Sequence, residues 1–424
     1  MDSILVKGGK TLNGEINISG AKNATLPIMT AALLTASKVV LENCPRLVDI
    51  QTMQQLLRNH GVFCEWSDKN ELTIKADEIT NMVAPYEIVR KMRASIWVLG
   101  PLLARFGYAE VSMPGGCAIG ARMVDMHIAV MKALGAEVKT HNGYIIAKAE
   151  QGLRGAEFNF AKVSVGATIN GIMAASLAKG QTILSNCACE PEITDVCNIL
   201  VKMGAEIEGI GTQKLIITGK SELSGAKHRV IGDRIEAGTY ISAVGLTGGK
   251  LLLNGIAYDI IENAILKMKE NGLVFNKISD DKIEVIADKS KLVASDVQTN
   301  PYPGFPTDLQ AQYMSMMTLA KGTSVIAENI FENRFMHVPE LLRMGANISI
   351  DGHTAIVRGV DELIGAEVMA SDLRASSSLI IAGLAASGET KVRRIYHLDR
   401  GYEKLEQKLQ ACGAEIERIS GDEV

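Results

Sequence analysis

Aromatic residues are scarce in this 424-residue chain, at 4%, whereas apolar residues make up 47%. The core must therefore be built mainly from Ala, Val, Leu, Ile and Met. Basic residues show no surplus, since 44 Lys and Arg stand against 48 Asp and Glu, and this predicts no general nucleic-acid-binding surface. The longest stretch without a charged residue runs from Val163 to Ala178, which is shorter than a membrane span. We therefore expect no membrane insertion.

Motifs for disulfides, metals and common cofactors are missing as well. The seven cysteines form no CxxC pair, and the N-terminus lacks an apolar targeting segment, so we expect a cytoplasmic protein with free thiols. The seven histidines are scattered, which predicts no zinc site. The chain has neither a GxxxxGK[ST] loop nor a dinucleotide fingerprint. No cofactor or metal is expected.

What the sequence does contain is a sixfold internal repeat of about seventy residues. In each copy an amphipathic helix ends at a glycine and a short strand follows. Glycine fits the position after a helix because the backbone there takes a positive φ. The six glycines are Gly61, Gly135, Gly204, Gly272, Gly345 and Gly413.

A second series of six helices alternates with the first and is apolar on nearly all sides, as in SVGATINGIMAASLAKG. Such helices should be buried, with the charged helices outside. Each repeat then has strands, one inner helix and one outer helix. The predicted fold class is α/β, with two domains of three repeats that divide near residues 228–238. A linear solenoid is the alternative, although it would need polar end caps that the sequence lacks.

The strongest local signal is the glycine-rich segment MPGGCAIGARMVDMH, residues 113–127. It places Cys117 five residues before Arg122, and a nearby cation lowers the pKa of a thiol. Cys117 is thus a candidate nucleophile or acid–base group. The alternative is a glycine turn with an incidental buried cysteine.

Two further segments carry candidate residues. Lys22 and Asn23 begin an apolar helix, where a lysine beside helix N–H groups can bind an anion. The alternative is a solvated lysine next to an N-cap asparagine. Asp308 follows the proline-rich loop NPYPGFP and is a candidate general base, or else an N-cap residue.

Five arginines stand at helix or strand ends: Arg93, Arg234, Arg334, Arg374 and Arg400. Buried arginines are costly unless they are paired or bind an anion. Several of them in a chain of net charge −4 predict a focused pocket that binds an anion. The alternative for each is an ion pair with an acid close to it in sequence, namely Asp233, Glu332, Asp372 or Asp399.

These segments together resemble a known family. GAKNATLP, PGGCAIGAR, DRIEAGTY, PYPGFPTDLQAQ, SDLRASSSL and HLDRGYE occur in the order typical of the UDP-N-acetylglucosamine 1-carboxyvinyltransferases, a branch of the enolpyruvyl transferase family. The resemblance runs from Lys7 to Ile416. It implies two inside-out α/β barrel domains, residues 22–231 and residues 1–21 with 232–424, and an active site in the cleft between them.

The resemblance also implies the reaction. The enolpyruvyl group of phosphoenolpyruvate passes to the 3-hydroxyl of UDP-N-acetylglucosamine by addition and elimination, releasing phosphate, as the first committed step of peptidoglycan synthesis. The resemblance to the UDP-N-acetylglucosamine 1-carboxyvinyltransferases also implies that the protein is a target of fosfomycin. A monomer or weak homo-oligomer is expected.

The family's site residues carry over onto matching positions. Asp308 would be the base and Cys117 the acid at C3, while Lys22, Arg122 and Arg400 would hold phosphate and carboxylate. Arg374 and Asp372 match a pair that lines the cleft. The positions that match nucleotide-sugar contacts are Asn23, Arg93, Trp97, Asp125, Ser164, Val165, Gly166 and Ile330.

Two positions depart from the family pattern. Met123 stands where a proline is usual, and Ile169 stands where an acid is usual. Both predict altered nucleotide contacts or domain closure. They also leave open a binding paralogue without turnover, beside the other alternative, a 3-phosphoshikimate enolpyruvyl transferase. The 3-phosphoshikimate enzymes have a serine after this lysine and an arginine a few residues on. Here Lys22 is followed by Asn-Ala-Thr, which argues against that alternative.

Overall fold

The computed structural model describes residues 2–67, 69–114 and 124–421. These residues form two compact units. The first contains residues 2–19 and 232–421, and the second contains residues 20–114 and 124–231. The chain therefore passes from one unit to the other between residues 19 and 20, and again between residues 231 and 232.

The described strands form six sheets of four strands each. In chain order the strands are β1 (Ser3–Lys7), β2 (Leu12–Asn17), β3 (Val39–Glu42), β4 (Phe63–Trp66), β5 (Leu72–Lys75), β6 (Val83–Ala84), β7 (Tyr108–Ser112), β8 (Glu137–His141), β9 (Tyr144–Lys148), β10 (Glu157–Asn159), β11 (Gln181–Ser185), β12 (Glu206–Glu208), β13 (Lys214–Thr218), β14 (Lys227–Arg229), β15 (Gly249–Asn254), β16 (Val274–Ser279), β17 (Lys282–Ala287), β18 (Val297–Gln298), β19 (Thr323–Ala327), β20 (Asn347–Asp351), β21 (Thr354–Arg358), β22 (Glu367–Met369), β23 (Glu389–Arg393) and β24 (Glu415–Ile419).

All six sheets have one design, in which an edge strand pairs in parallel with the first of three strands that are antiparallel to one another. The second unit has the orders β14-β3-β5-β4, β6-β7-β9-β8 and β10-β11-β13-β12, and the first unit has β2-β15-β17-β16, β18-β19-β21-β20 and β22-β23-β1-β24. Alternate residues face the core, as in β5, where Leu72 and Ile74 are buried. The sixfold repeat predicted from the sequence is confirmed.

The first strand pairs with strands from the end of the chain. β1 lies between β23 and β24, with Val6 opposite Thr390 and Ile416. A linear solenoid would pair each repeat only with its neighbours. The solenoid alternative is therefore wrong, because the first and last strands complete one sheet.

Helices divide into an inner and an outer series, as the sequence predicts. In the first unit the three inner helices α8, α10 and α12 pack against one another, and all fourteen residues of α8 are buried. In chain order the helices are α1 (Lys22–Ala31), α2 (Val48–Asn59), α3 (Tyr86–Val89), α4 (Leu99–Phe106), α5 (Asp125–Ala133), α6 (Val165–Ala175), α7 (Pro191–Lys202), α8 (Arg234–Thr247), α9 (Glu262–Glu270), α10 (Gln310–Met317), α11 (Val338–Arg343), α12 (Leu373–Ala385) and α13 (Leu405–Ala411).

Short 3-10 helices precede or follow several of these helices, at Ala32–Leu34, Arg93–Val98, Lys289–Lys291, Thr307–Leu309 and Ile395–Arg400. Each unit has its own hydrophobic core, which its inner helices and the inward faces of its sheets share. No described helix is long and apolar enough to cross a membrane.

The six glycines that mark the repeat all have positive φ, between +90° and +103°. At Gly135, Gly204 and Gly345 an added Cβ would meet no atom within 4 Å. At these three positions, therefore, the backbone angle, and not a lack of space, favours glycine. This prediction from the sequence is confirmed.

Candidate functional site

Within each unit the predicted site residues gather at the N-terminal ends of the inner helices. Lys22 is the first residue of α1, Ser164 is the N-cap of α6, and Asp372 is the N-cap of α12. Asp308 lies in the 3-10 turn that leads into α10. The N-terminal end of a helix presents free N–H groups and partial positive charge, so this end of each unit suits anionic ligands.

In the first unit, Asp308 is held between two arginines. Its Oδ1 accepts a hydrogen bond from Arg334 Nη2 at 2.8 Å, and its Oδ2 accepts one from Arg374 Nη2 at 2.7 Å. The Asp308 side chain is 25% exposed, whereas both arginine side chains are 6% exposed. A carboxylate oxygen can accept more than one hydrogen bond. An oriented, accessible carboxylate of this kind can take a proton from a hydroxyl group.

Arg374 is fixed by a second set of contacts behind Asp308. Its Nη1 donates to the Tyr402 hydroxyl at 3.3 Å, and that hydroxyl also bonds Thr239, Gln312 and Ser377 in the core. Burial lowers the pKa of Arg374, but attraction to Asp308 and to other groups outweighs burial and raises it above the ordinary value. The guanidinium therefore stays charged and cannot rotate freely.

A buried histidine, His337, interacts with Arg334 and Asp372. His337 is 1% exposed, and its Nε2 has no hydrogen-bond partner among the described residues. Burial lowers its pKa from 6.5 to about 4, with Asp372 acting to raise it and Arg334 to lower it. The imidazole is thus neutral at physiological pH. Asp372 itself caps α12 by accepting from the backbone N–H groups of Arg374 and Ala375.

In the second unit, Lys22 is paired and largely buried. Its Nζ lies 3.4 Å from Asp49 Oδ2, with side-chain exposures of 11% and 5%. The N-cap of α1 is Ala21, and Asn23 is the second helical residue. The alternative of a solvated lysine beside an N-cap asparagine is therefore wrong.

A second cluster in the same unit joins Trp97 to the start of α6. Trp97 Nε1 donates to the carbonyl of Gly166 at 3.1 Å, and a Cβ at Gly166 would lie 3.1 Å from the His127 ring. His127 Nδ1 lies 2.9 Å from Asn170 Nδ2, and Asn170 also bonds the backbone of Ile96 and Gly100. The close approach explains glycine at position 166, and the contacts join Trp97 to the start of α6.

The remaining predicted residues also lie at the ends of elements. Arg93 begins the 3-10 helix that contains Trp97, Asp125 is the first residue of α5, and Val165 is the first residue of α6. Ile330 follows β19, and its N–H donates to Glu328. Arg400 is the last residue of the 3-10 helix Ile395–Arg400. Cys117, Arg122 and Met123 lie outside the described residues.

Ion pairs with neighbouring acids do not explain Arg334 and Arg374. Both guanidinium groups bond Asp308, which is 26 and 66 residues away in sequence, and Asp399 pairs with Arg418. The alternative of adjacent pairing is wrong for these two arginines. Asp308 is not an N-cap either, since Pro306 holds that position.

Sequence reasoning missed Asp49, His127, Asn170, His337 and Tyr402, and it missed the pairing of Arg334 with Asp308. Asp49 and His127 lie on outer helices, where a charged residue is ordinary. Only the position of Tyr402 two residues after Arg400 gave a hint. Among the described residues no group of three metal-ligating side chains occurs.

Comparison with known proteins places these features in a family. The model of the EPSP synthase family (3-phosphoshikimate 1-carboxyvinyltransferase) matches residues 6–409. A protein of Rickettsia bellii (strain OSU 85-389) named UDP-N-acetylglucosamine 1-carboxyvinyltransferase is 59% identical over 422 residues, covering 99% of this chain and 100% of that protein. A protein of the same name from Rickettsia felis is 57% identical with the same coverage.

Solved structures show the same fold at low identity. The enolpyruvyl transferase NikO from Streptomyces tendae superposes with a TM-score of 0.90 at 24% identity, covering 99% of both chains. EPSP synthase from Acinetobacter baumannii gives a TM-score of 0.74 at 17% identity, covering 99% of this chain and 100% of that one. These likenesses confirm the predicted inside-out α/β fold class. Sequence and fold together show that the chain belongs to the EPSP synthase family of carboxyvinyltransferases, as do its Rickettsia relatives.

Proposed function

We propose that the chain transfers the enolpyruvyl group of phosphoenolpyruvate to the 3-hydroxyl of UDP-N-acetylglucosamine and releases phosphate. The observation that carries this proposal is the accessible Asp308 carboxylate, fixed between two buried arginines, in a chain 59% identical to proteins named for this reaction. The Trp97 and Gly166 cluster supplies a surface suited to a nucleotide sugar.

In the first step, the sugar hydroxyl adds to C2 of phosphoenolpyruvate. Asp308 accepts the hydroxyl proton, and an acid delivers a proton to C3, which becomes a methyl group. We assign the acid to Cys117. Arg334 and Arg374 keep Asp308 in one orientation, so that little reorganisation is needed when the proton moves.

In the second step, the tetrahedral ketal loses phosphate from C2 and a proton from C3, and the hydroxyl proton taken up by Asp308 leaves with the phosphate. The C3 proton returns to the Cys117 thiolate, and the C2–C3 double bond forms again. We propose that Lys22, Arg122 and Arg400 bind the phosphate and carboxylate groups and offset the charge of the departing phosphate. We further propose that the substrates bind in a cleft between residues 22–231 and the rest of the chain.

The nucleotide sugar would contact Asn23, Arg93, Trp97, Asp125, Ser164, Val165, Gly166 and Ile330. Ile169, which stands where the family usually has an acid, is fully buried in the core of its unit. It therefore affects the packing of α6 and does not contact the nucleotide sugar directly. The reaction needs no cofactor. Its place is the first committed step of peptidoglycan synthesis in the cytoplasm, on which cell-wall growth, cell shape and division depend.

A phosphate-release assay with two acceptors tests the proposal. We expect phosphate release to require both phosphoenolpyruvate and UDP-N-acetylglucosamine, with no release when shikimate 3-phosphate replaces the nucleotide sugar. Phosphate release from phosphoenolpyruvate with shikimate 3-phosphate as the only acceptor would assign the chain to the other branch of the family. Binding of UDP-N-acetylglucosamine without phosphate release would indicate a paralogue that has lost turnover.

A further inference from the structure

The backbone that enters the second unit's inner helix α1 is fixed by the place where the chain leaves that unit. The N–H of Ala21 donates to the carbonyl of Ile231 at 2.7 Å. Ala21 is the N-cap of α1, and its own carbonyl accepts the N–H groups of Ala24 and Thr25 at 3.1 and 2.8 Å. Lys22 is the next residue. A shift of Ile231 would therefore be transmitted to Lys22 across one peptide unit.

Ile231 is held in turn by a buried carboxylate. Its N–H donates to Asp195 Oδ2 at 3.2 Å, beyond the last ladder bonds of β14. Asp195 lies on α7, which packs against α1, and its side chain is 2% exposed. A buried carboxylate is costly unless donors surround it. Asp195 thus accepts a hydrogen bond from the N–H of Ile231, which lies beyond the paired residues of β14.

The other oxygen of Asp195 is satisfied by His228. Asp195 Oδ1 lies 2.9 Å from His228 Nε2, and His228 is also buried. Lys202 Nζ lies 3.2 Å from His228 Nδ1. An ammonium group can only donate, so Nδ1 accepts and Nε2 carries the proton that faces Asp195. The tautomer of His228 is thereby fixed by Lys202.

We propose that Asp195 and His228 are positioning residues for Lys22. The hydrogen-bonded series runs from Lys202 through His228, Asp195 and Ile231 to Ala21, and it sets where α1 begins. This inference rests on the proposed function, in which Lys22 binds the phosphate of phosphoenolpyruvate. Loss of the series should weaken phosphoenolpyruvate binding and leave the nucleotide-sugar residues of α6 in place.

Three variants of the full chain separate positioning from stability. Asp195→Ala removes the acceptor, and His228→Leu removes the donor to Asp195. His228→Gln places an amide near the former Nε2 and restores that donor. Thr35→Val is the matched control, because its buried hydroxyl donates to Leu223 O at 2.6 Å in the same unit and is not part of the series.

The first measurement is amide hydrogen exchange of the peptide that covers residues 21–25. We expect faster exchange there in Asp195→Ala and His228→Leu, and exchange close to that of the wild type in His228→Gln and Thr35→Val. This measurement needs no substrate, so it tests the series even if the proposed reaction fails. Unchanged exchange in both disruptive variants would overturn the inference.

The second measurement is steady-state kinetics with UDP-N-acetylglucosamine binding measured alongside. Asp195→Ala and His228→Leu should raise the KM for phosphoenolpyruvate by about fivefold or more and leave the dissociation constant of the nucleotide sugar within about twofold. His228→Gln should restore the KM. A lower melting temperature with an unchanged KM would show a structural role only and overturn the inference. An inactive wild type would instead contradict the proposed function.

Discussion

At the scale of single residues, the environment of Asp308 decides what its carboxylate can do. Two buried arginines occupy one lone pair on each oxygen, and the partial exposure of the side chain leaves a path for a substrate hydroxyl. Neither arginine is near Asp308 in sequence. The residue types at this site could be predicted from motifs, but the pairing could not, because it arises when the segments before α10 and α11 meet the start of α12.

Asp308→Asn should abolish turnover while UDP-N-acetylglucosamine still binds. The amide has nearly the same shape, but its NH2 group would face an arginine donor and cannot accept a proton. Phosphate release and calorimetric binding measure the two effects. Glu332→Gln is the matched control, since Glu332 lies two residues before Arg334 in sequence and is exposed. Turnover at the wild-type rate in Asp308→Asn would remove Asp308 from the role of base.

Fosfomycin should alkylate Cys117 and none of the other six cysteines. Five of these are buried and Cys189 is partly buried. Burial raises the pKa of Cys64, Cys187 and Cys197 to about 12, so their thiolate fraction is negligible. Peptide mapping after treatment should find one adduct, enhanced by UDP-N-acetylglucosamine. Adducts on several cysteines would contradict the role given to Cys117.

Cys117→Asp should remain active and become resistant to fosfomycin. A carboxyl group can still deliver a proton to C3, but it is a poorer nucleophile toward an epoxide. Phosphate release with and without the inhibitor measures both properties. Complete loss of activity would indicate that a covalent thiol adduct is required.

His337 should make the protein less stable as the pH falls. Its folded-state pKa of about 4 lies below the ordinary 6.5, so the unfolded chain binds the proton first. The contribution of neutral His337 to the free energy of unfolding is fully present above pH 6.5. It falls by about 3 kcal/mol as the pH falls to 4. Thermal unfolding from pH 7 to 4.5 should show a smaller loss in His337→Gln. The exposed His353→Gln is the control and should follow the wild type, and equal slopes in all three would contradict the prediction.

At the scale of elements, the sequence carries most of the information about helices and turns. The six glycines, the inner apolar helices and the sixfold repeat are local patterns, and all three predictions are confirmed. The pairing of β1 with β23 and β24 could not be read from residue patterns alone. It joins strands that are almost the whole chain apart, and only the family resemblance pointed to it.

Gly135→Ala should destabilise the protein by about 1 kcal/mol without changing kcat. Gly135 has a φ of +92° and open space around it, so the cost comes from the backbone angle alone. Gly135→Asn should cost less, because asparagine tolerates positive φ better. Chemical denaturation measures both changes. An equal loss in the two variants would indicate a cause other than the backbone angle.

At the scale of the whole molecule, the predicted substrate contacts are divided between the two compact units. Lys22, Trp97 and Gly166 belong to residues 20–231, and Asp308 and Arg374 belong to residues 232–421. A substrate that contacts both sets would favour a more closed arrangement through its binding energy.

Small-angle scattering should therefore show a smaller radius of gyration when UDP-N-acetylglucosamine is added. Trp97→Ala is the matched control, since it removes one of the nucleotide-sugar contacts and should weaken the response at the same ligand concentration. No compaction at saturating nucleotide sugar would contradict closure on this ligand.

The chemical identity of the product is the sharpest test of the proposed enolpyruvyl transfer. The full chain is mixed with phosphoenolpyruvate labelled with carbon-13 at C2 and C3 and with UDP-N-acetylglucosamine, and the reaction is followed by NMR. We expect an enol ether on the sugar 3-oxygen, formed in equal amount to inorganic phosphate. Unchanged phosphoenolpyruvate, or transfer of the label to shikimate 3-phosphate in a parallel sample where that acceptor replaces the nucleotide sugar, would contradict the proposed transfer.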